Sequence, residues 1–294
     1  MSSRGWCYIL EEHGLRKNDF DSAQKLINSC RKTGDLPLDI CADDESRAFE
    51  NLEYIDADDP EDYARGIVDE LEEKHLYYTP ISAWADQRYY VEVLVEKIDL
   101  KSLFAEVCGE FYVPIANAGG WSDLNLRGEI MGRFAYWEQR GKQCVLLYCG
   151  DHDPGGLAIS TTLRSNLQDL AGAVGWSPDN LIIDRFGLNV DFIAAQGLTW
   201  IDNLATAGGK YPLNDPRHPD HTKPYVQDYL AQFGVRKVEA NALVVRPRAG
   251  RDLCRKAILK YVSRPILRAY QRELAAVQDE VRDHLVRLLS EHAP

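Results

Sequence analysis

Apolar and polar positions change period several times along the chain, and each change marks an element. Ser2 to Leu15 sets Trp6, Tyr8, Ile9 and Leu10 on a partial apolar helix face. Asn18 to Pro37 reads as a second helix with an Asn or Asp cap, carrying Phe20, Ala23, Leu26, Ile27 and Cys30 and closed by Gly34 and Pro37. Two helices bury little area, so this stretch needs more structure around it. Asp43 to Asp62 is too acidic for a core and reads as a linker or surface arm, and "PEDYARGIVDELEEKHLYY" after it is helical in pattern.

Another regime starts near Trp84. "YYVEVLVEK" is dense in Tyr and Val, as strands are. A helix over "DLKSLFAEVCGEF", a short strand in "YVPIANA", a helix over "LNLRGEIMGRFAYWEQRG" and the fully apolar strand "QCVLLYCG" follow. "GLAISTTLRSNLQDLAG" is a further helix, and "NLIIDRFG" opens another strand. This alternation predicts an α/β fold, a mostly parallel sheet flanked by helices. Beyond the Pro- and Gly-rich "GGKYPLNDPRHPDHTKP", a long helix places Leu267, Tyr270, Leu274, Val277, Val281, Leu285 and Leu288 at spacings of three and four, a stripe suited to packing within the chain. The reading divides the chain into a small helical or winged-helix-like region over 1–42, an acidic linker and helix over 43–83, and the sheet domain with its C-terminal helical extension over 84–294.

Charge complicates the choice of partner. A net charge of -12 alone argues against a polyanion. Yet fourteen acids face only Arg47 and Arg65 between Asp43 and Glu73, whereas nine Arg or Lys face Asp252 alone between Arg246 and Arg272. An acidic protein can therefore carry a basic face, and on a helix Arg248, Arg251 and Arg255 share one side with Lys256 and Lys260 alongside, a candidate DNA surface. The seven cysteines form no CxxC and suit reduced thiols of a cytoplasmic protein. No apolar run approaches ~18 residues and the first residues lack signal-peptide architecture, so no membrane partner is expected.

The candidate chemistry lies at strand ends, where open parallel sheets gather it. "VEVLVEK" leaves its strand on Glu96 and Lys97, and "QCVLLYCGDHDPGG" ends a strand with Asp151 and Asp153. Acids two apart on extended backbone point to the same side, which sends His152 the other way. Three carboxylates converging there repel one another unless a divalent cation neutralises them, and hard oxygen ligands favour Mg²⁺.

"LVEKIDLKSLF", "NAGGWSDLNLR" and "YCGDHDPGGLAI" together resemble the Toprim superfamily, and within it the A subunit of topoisomerase VI and the related protein that initiates meiotic recombination. The resemblance spans about Tyr89 to Leu163, with a weaker echo in "KVEANAL" near Glu239. It implies that Glu96, Asp151 and Asp153 bind Mg²⁺, with Mn²⁺ as a substitute, beside a scissile phosphate of double-stranded DNA, and that Arg127 is the arginine beyond the glycine loop. The family cuts with a tyrosine four residues after an arginine, the spacing of Arg4 and Tyr8 in "RGWCY". In the family arrangement one protomer's tyrosine meets its partner's metal site, so the active unit implied is a homodimer, in the cytoplasm and nucleoid-associated in a prokaryote. With no GxxxxGK[ST], ATP-driven duplex passage needs a separate ATPase subunit. Three readings stay open: tyrosine-linked DNA cleavage, hydrolysis by a Toprim nuclease with Lys97 stabilising charge on the phosphate, and a non-catalytic DNA-binding or assembly module.

Overall fold

The structure, a computed structural model, describes residues 2–41, 59–118, 124–205 and 210–292. Most of the acidic arm expected over Asp43 to Asp62 and the glycine pair Gly119-Gly120 lie outside the described residues. Helices α1 (Ser3–Glu11) and α2 (Phe20–Thr33) come first, then α3 (Pro60–Glu73). Next are β1 (Tyr89–Val95), α4 (Ile98–Glu110), β2 (Ile115–Asn117), α5 (Leu124–Glu138) and β3 (Gln143–Cys149). The short α6 (Pro154–Leu157), α7 (Ile159–Gln168) and the short α8 (Ala171–Val174) lead to β4 (Ile182–Arg185). The chain ends with α9 (Val190–Gln196), α10 (Pro224–Phe233), α11 (Pro247–Leu259) and α12 (Arg264–His292).

The four strands form one parallel sheet in the order β2-β1-β3-β4. Every residue of β1 and β3 after the first is buried, as expected for inner strands covered on both faces, which is why both read as continuous apolar runs. The edge strands β2 and β4 are half-buried throughout. The chain leaves β1 toward β2 on one side and leaves β3 toward β4 on the other. The carboxyl ends of β1 and β3 therefore form the topological switch point of the sheet, where such folds open a crevice.

Two compact units emerge: residues 1–42 with 88–262, and 43–87 with 263–294. This differs from the three-part division read along the sequence. The N-terminal helices fold into the sheet unit because their partners lie far along the chain: α1 packs against α2 and the 3₁₀ segment Ala240–Val245, and the Ser2 backbone N–H donates to Asp99 Oδ1 at 2.6 Å. Among the described residues 2–41 there is no strand, so the wing of a winged helix has no counterpart there. The second unit joins α3 and the turn Lys74–Tyr77 to α12, where Gln278 Nε2 donates to Leu76 O at 2.7 Å. In the α12 stripe Leu267 and Leu274 are buried, while Leu288 is exposed. All seven cysteines are free thiols, and no helix among the described residues is long and apolar enough to cross a membrane.

One inner-strand residue breaks the apolar run. Glu92 is 3% exposed, and it accepts two hydrogen bonds from Arg133 of α5 at 2.7 and 2.9 Å and one from the Tyr90 hydroxyl at 2.9 Å. Removing one partner of such a pair strands a charge in the core. Arg133→Met should destabilise the protein by about 3 kcal/mol, the low end for a buried pair because Arg133 is partly solvated. The double substitution Glu92→Met/Arg133→Met should recover most of that loss, and urea denaturation of the three proteins measures both.

Candidate functional site

The sheet's switch point assembles the acids. Glu96 follows β1 directly, and its backbone N–H continues the ladder to Cys149 O at 2.9 Å. Its Oε2 accepts the Asp151 backbone N–H at 2.8 Å and the Tyr148 hydroxyl at 3.3 Å. Lys97 completes the cluster: its Nζ lies 2.5 Å from Glu96 Oε1 and 3.1 Å from Asp151 Oδ2. Two acids from neighbouring strand ends thus share one cation.

Glycines permit this closeness. At Gly150 a Cβ would lie 2.6 Å from Glu96 Oε2, and at Gly156 it would lie 2.0 Å from the Asp151 carbonyl oxygen. The second clash is with backbone and has no easy relief. Asp153 caps α6, its Oδ1 accepting the Gly156 N–H at 2.6 Å. Arg185 at the end of β4 ties the loop down, donating to Gly156 O at 3.0 Å and to Asn189 Oδ1 at 2.8 Å. A cleft of about 330 Å³ opens over this loop, lined among others by Glu96, Asp153, Tyr148, Ala118 and Thr162.

Asp151 holds the site to the rest of the unit. Its Oδ1 accepts the Ala240 backbone N–H at 2.8 Å. Glu239, next to it, accepts Arg4 Nε and Nη2 at 2.8 Å each and the Tyr8 hydroxyl at 2.7 Å. Tyr8 has no exposed surface, packs edge-on against Phe20 at 5.0 Å, and lies under Lys17 Nζ, 4.3 Å from its ring centre. Burial and then the Glu239 charge push the Tyr8 pKa up, against the direction a nucleophile needs. The tyrosine of the Arg4–Tyr8 pair is thus committed to Glu239 of its own chain. Arg4, Tyr8 and Glu239 come together here although 231 residues separate Tyr8 from its acceptor.

Burial, then the Glu96 charge, raises the Asp151 pKa to about 7, and burial raises that of Asp153. Glu96 goes the other way: burial alone would raise it, but the Lys97 charge and hydrogen bond and the Asp151 N–H bring it below the ordinary range. Lys97 is raised against the effect of its own burial by Asp151 and Glu96. Among the described residues no group of three or more His, Cys, Asp and Glu side chains is gathered as a metal shell. The reason is local, since Lys97 stands between two of the acids and Asp153 is turned to the Gly156 N–H. The donors nonetheless fit Mg²⁺, which takes one or two carboxylates and fills its shell with water and substrate oxygens.

The other expected residues are dispersed. Arg127 on α5 donates to Asn166 O at 3.1 Å and is half-buried. On and after α11, Arg248 and Lys256 are exposed, but three of the cations expected to meet DNA are engaged by acids. Arg251 lies 3.4 Å from Glu106, Arg255 2.9 Å from Glu110, and Lys260 2.6 Å from Asp184. These pairs lower the positive potential of that face. His152 turns away from the acids, as alternation requires, and packs between Trp200 and Phe233 with Nδ1 2.7 Å from Leu188 O. Arg185 and Tyr148 were missed in the sequence. "IIDRFG" and "LLYCGD" each carry a polar group at a strand's carboxyl end, the same signal that exposed Glu96.

No family model matches the chain, and neither a curated protein nor a solved structure does.

The raised Asp151 pKa sets a pH dependence. A carboxyl whose folded pKa exceeds its unfolded value favours folding fully below the unfolded pKa, and that contribution is lost as pH rises through about 7. Asp151→Asn keeps the shape without the charge. It should melt higher than the parent at pH 8 in EDTA, and the difference should shrink at pH 5; a variant that melts lower at pH 8 by as much as at pH 5 contradicts this.

Proposed function

We propose that the protein breaks the phosphodiester backbone of double-stranded DNA at the cleft over Glu96 and Asp153, with Mg²⁺ or Mn²⁺ held by Glu96, Asp151 and Asp153, as a Toprim relationship implies. The observation that carries this reading is two carboxylates at a topological switch point already sharing one cation, beside a cleft open to a ligand. When bound, a divalent ion offsets charge developing on phosphate oxygens and activates a water for attack. Lys97 keeps the two acids compatible in the ion's absence, and once released from Asp151 it offers its charge to a phosphate oxygen. Arg185 and Gly156 hold the loop that presents Asp153.

Hydrolysis is the route this geometry supports best, because Tyr8 is fully buried and its hydroxyl is committed to Glu239. One observation favours transesterification by Tyr8 as a second reading. Its acceptor Glu239 directly precedes Ala240, whose N–H holds Asp151, so a shift of α1 would free the phenol close to the acids. Duplex passage by that route calls for a second copy of the chain and a separate ATPase subunit.

Supercoiled plasmid with Mg²⁺ or Mn²⁺ tests both. Glu96→Gln and Asp151→Asn should each lower strand cleavage about 100-fold or more. Under hydrolysis, Tyr8→Phe stays within about threefold of the parent and no protein-DNA adduct survives denaturation. An adduct in the parent that Tyr8→Phe abolishes moves the chemistry to the tyrosine. A parent that binds DNA and never cuts it, alone or with added partners, assigns the chain to the non-catalytic module.

A further inference from the structure

A second cleft, of about 450 Å³, opens beside Glu239 and does not include Asp151 in its lining. Its lining includes three cations, Arg4, Lys17 and Lys237, and two acids, Glu239 and Asp21, with Asn18 and Asn203 contributing amides. Glu239 is saturated by Arg4 and Tyr8, and Lys237 Nζ reaches it only at 3.5 Å. Lys17 is in a stranger position. Its Nζ is buried and makes no hydrogen bond among the described residues; its nearest acid, Glu11, is 3.5 Å away, and it also lies over the rings of Tyr8 and Phe20. Ammonium groups bring three donors each, and buried donors without acceptors are costly. The Arg4 guanidinium and the Lys237 ammonium, which is held only at 3.5 Å by Glu239 and the Ala205 carbonyl, line one cleft with the buried Lys17 ammonium behind them, a cation set suited to a tetrahedral oxyanion.

The same loop continues the surface. An adjoining cleft of about 580 Å³ shares Lys17, Asn18 and Asn203 and adds Arg16 and Trp200 together with the acids Glu11 and Asp202. Arg236 lies over the Trp200 ring at 4.2 Å. An aromatic ring with Arg16 and Lys17 beside it offers a base-stacking surface next to the first cleft.

We infer that the cleft formed by Arg4, Lys17 and Lys237 is a phosphate-binding site, distinct from the acid cluster. Its ligand is a phosphate group, carried by a nucleic-acid backbone or arriving as the free ion. This goes beyond backbone cleavage, and it stands on the cleft's own charges. A phosphate seated there contacts Arg4, which also holds Glu239, and so lies one residue along the backbone from the N–H that fixes Asp151.

The test scores binding alone, in EDTA, so it succeeds or fails apart from cleavage. Thermal melting is followed against inorganic phosphate, and fluorescence anisotropy against a short labelled single-stranded oligonucleotide, for the parent, Lys17→Gln, Lys237→Gln and Lys32→Gln. Lys32, exposed near the end of α2, controls for the loss of a charge. Inorganic phosphate should raise the parent's melting temperature, and Lys17→Gln and Lys237→Gln should each weaken phosphate binding about tenfold, with Lys32→Gln like the parent. If oligonucleotide binding falls in the same two variants, the phosphate belongs to nucleic acid; if only inorganic phosphate binding falls, the site takes the free ion. Equal binding of both ligands by all four proteins, or no binding of either by the parent, overturns the proposal. Should Lys17→Gln fail to fold, Lys237→Gln decides alone, because its lysine is only loosely paired with Glu239.

Discussion

A single buried carboxylate joins the parts of the sheet unit. Asp151 reaches back to Lys97 and Glu96 at the end of β1 and forward to the backbone of Ala240. Through Glu239 the link continues to Arg4 and Tyr8, so the N-terminal helices and the strand ends share one polar network. Such a network is worth keeping only if each member is satisfied, because the low-dielectric interior that strengthens its bonds also penalises a missing partner. Asp151 meets that condition with two opposing neighbours, a lysine that favours its charge and a glutamate that opposes it.

The balance among these three groups explains why the cluster is poised rather than closed. A site with a metal-ready shell would leave three acids facing one another in the ion's absence. Here Lys97 fills that role for two of them, and Asp153 is occupied with the first turn of α6. The arrangement is stable without an ion and keeps the ligands close to where an ion would need them, at the cost of a lysine that must move.

What was legible in the sequence followed from local physics. Inner parallel strands are buried on both faces, so β1 and β3 announce themselves as unbroken apolar runs, and an acid just past such a run stands out, as Glu96 and Asp151 do. The α/β alternation and the parallel order came from the same source. Long-range pairings carry no such signal. The meeting of Tyr8 with Glu239, the clamp of Arg185 on the Asp151–Gly156 loop and the pairing of Arg251 and Arg255 with Glu106 and Glu110 each depend on how distant elements pack. The basic segment after Arg246 is conspicuous when counted along the chain and muted in space, because α4 brings its own acids beside it. Arg4 and Tyr8, chosen for their spacing, share a partner that no spacing could reveal.

The division of the chain also has a consequence for how it is made. The second unit is assembled from residues 43–87 and 263–294, with the whole sheet segment between them. At translation rates of roughly 5–20 residues per second, α3 emerges on the order of ten seconds or more before α12 exists. The sheet unit has its strands, and its N-terminal helices, within that interval; the second unit must wait for the last helix. An orphaned helix is prone to sticking, and the dense negative charge between Asp43 and Glu73 repels other chains during that wait.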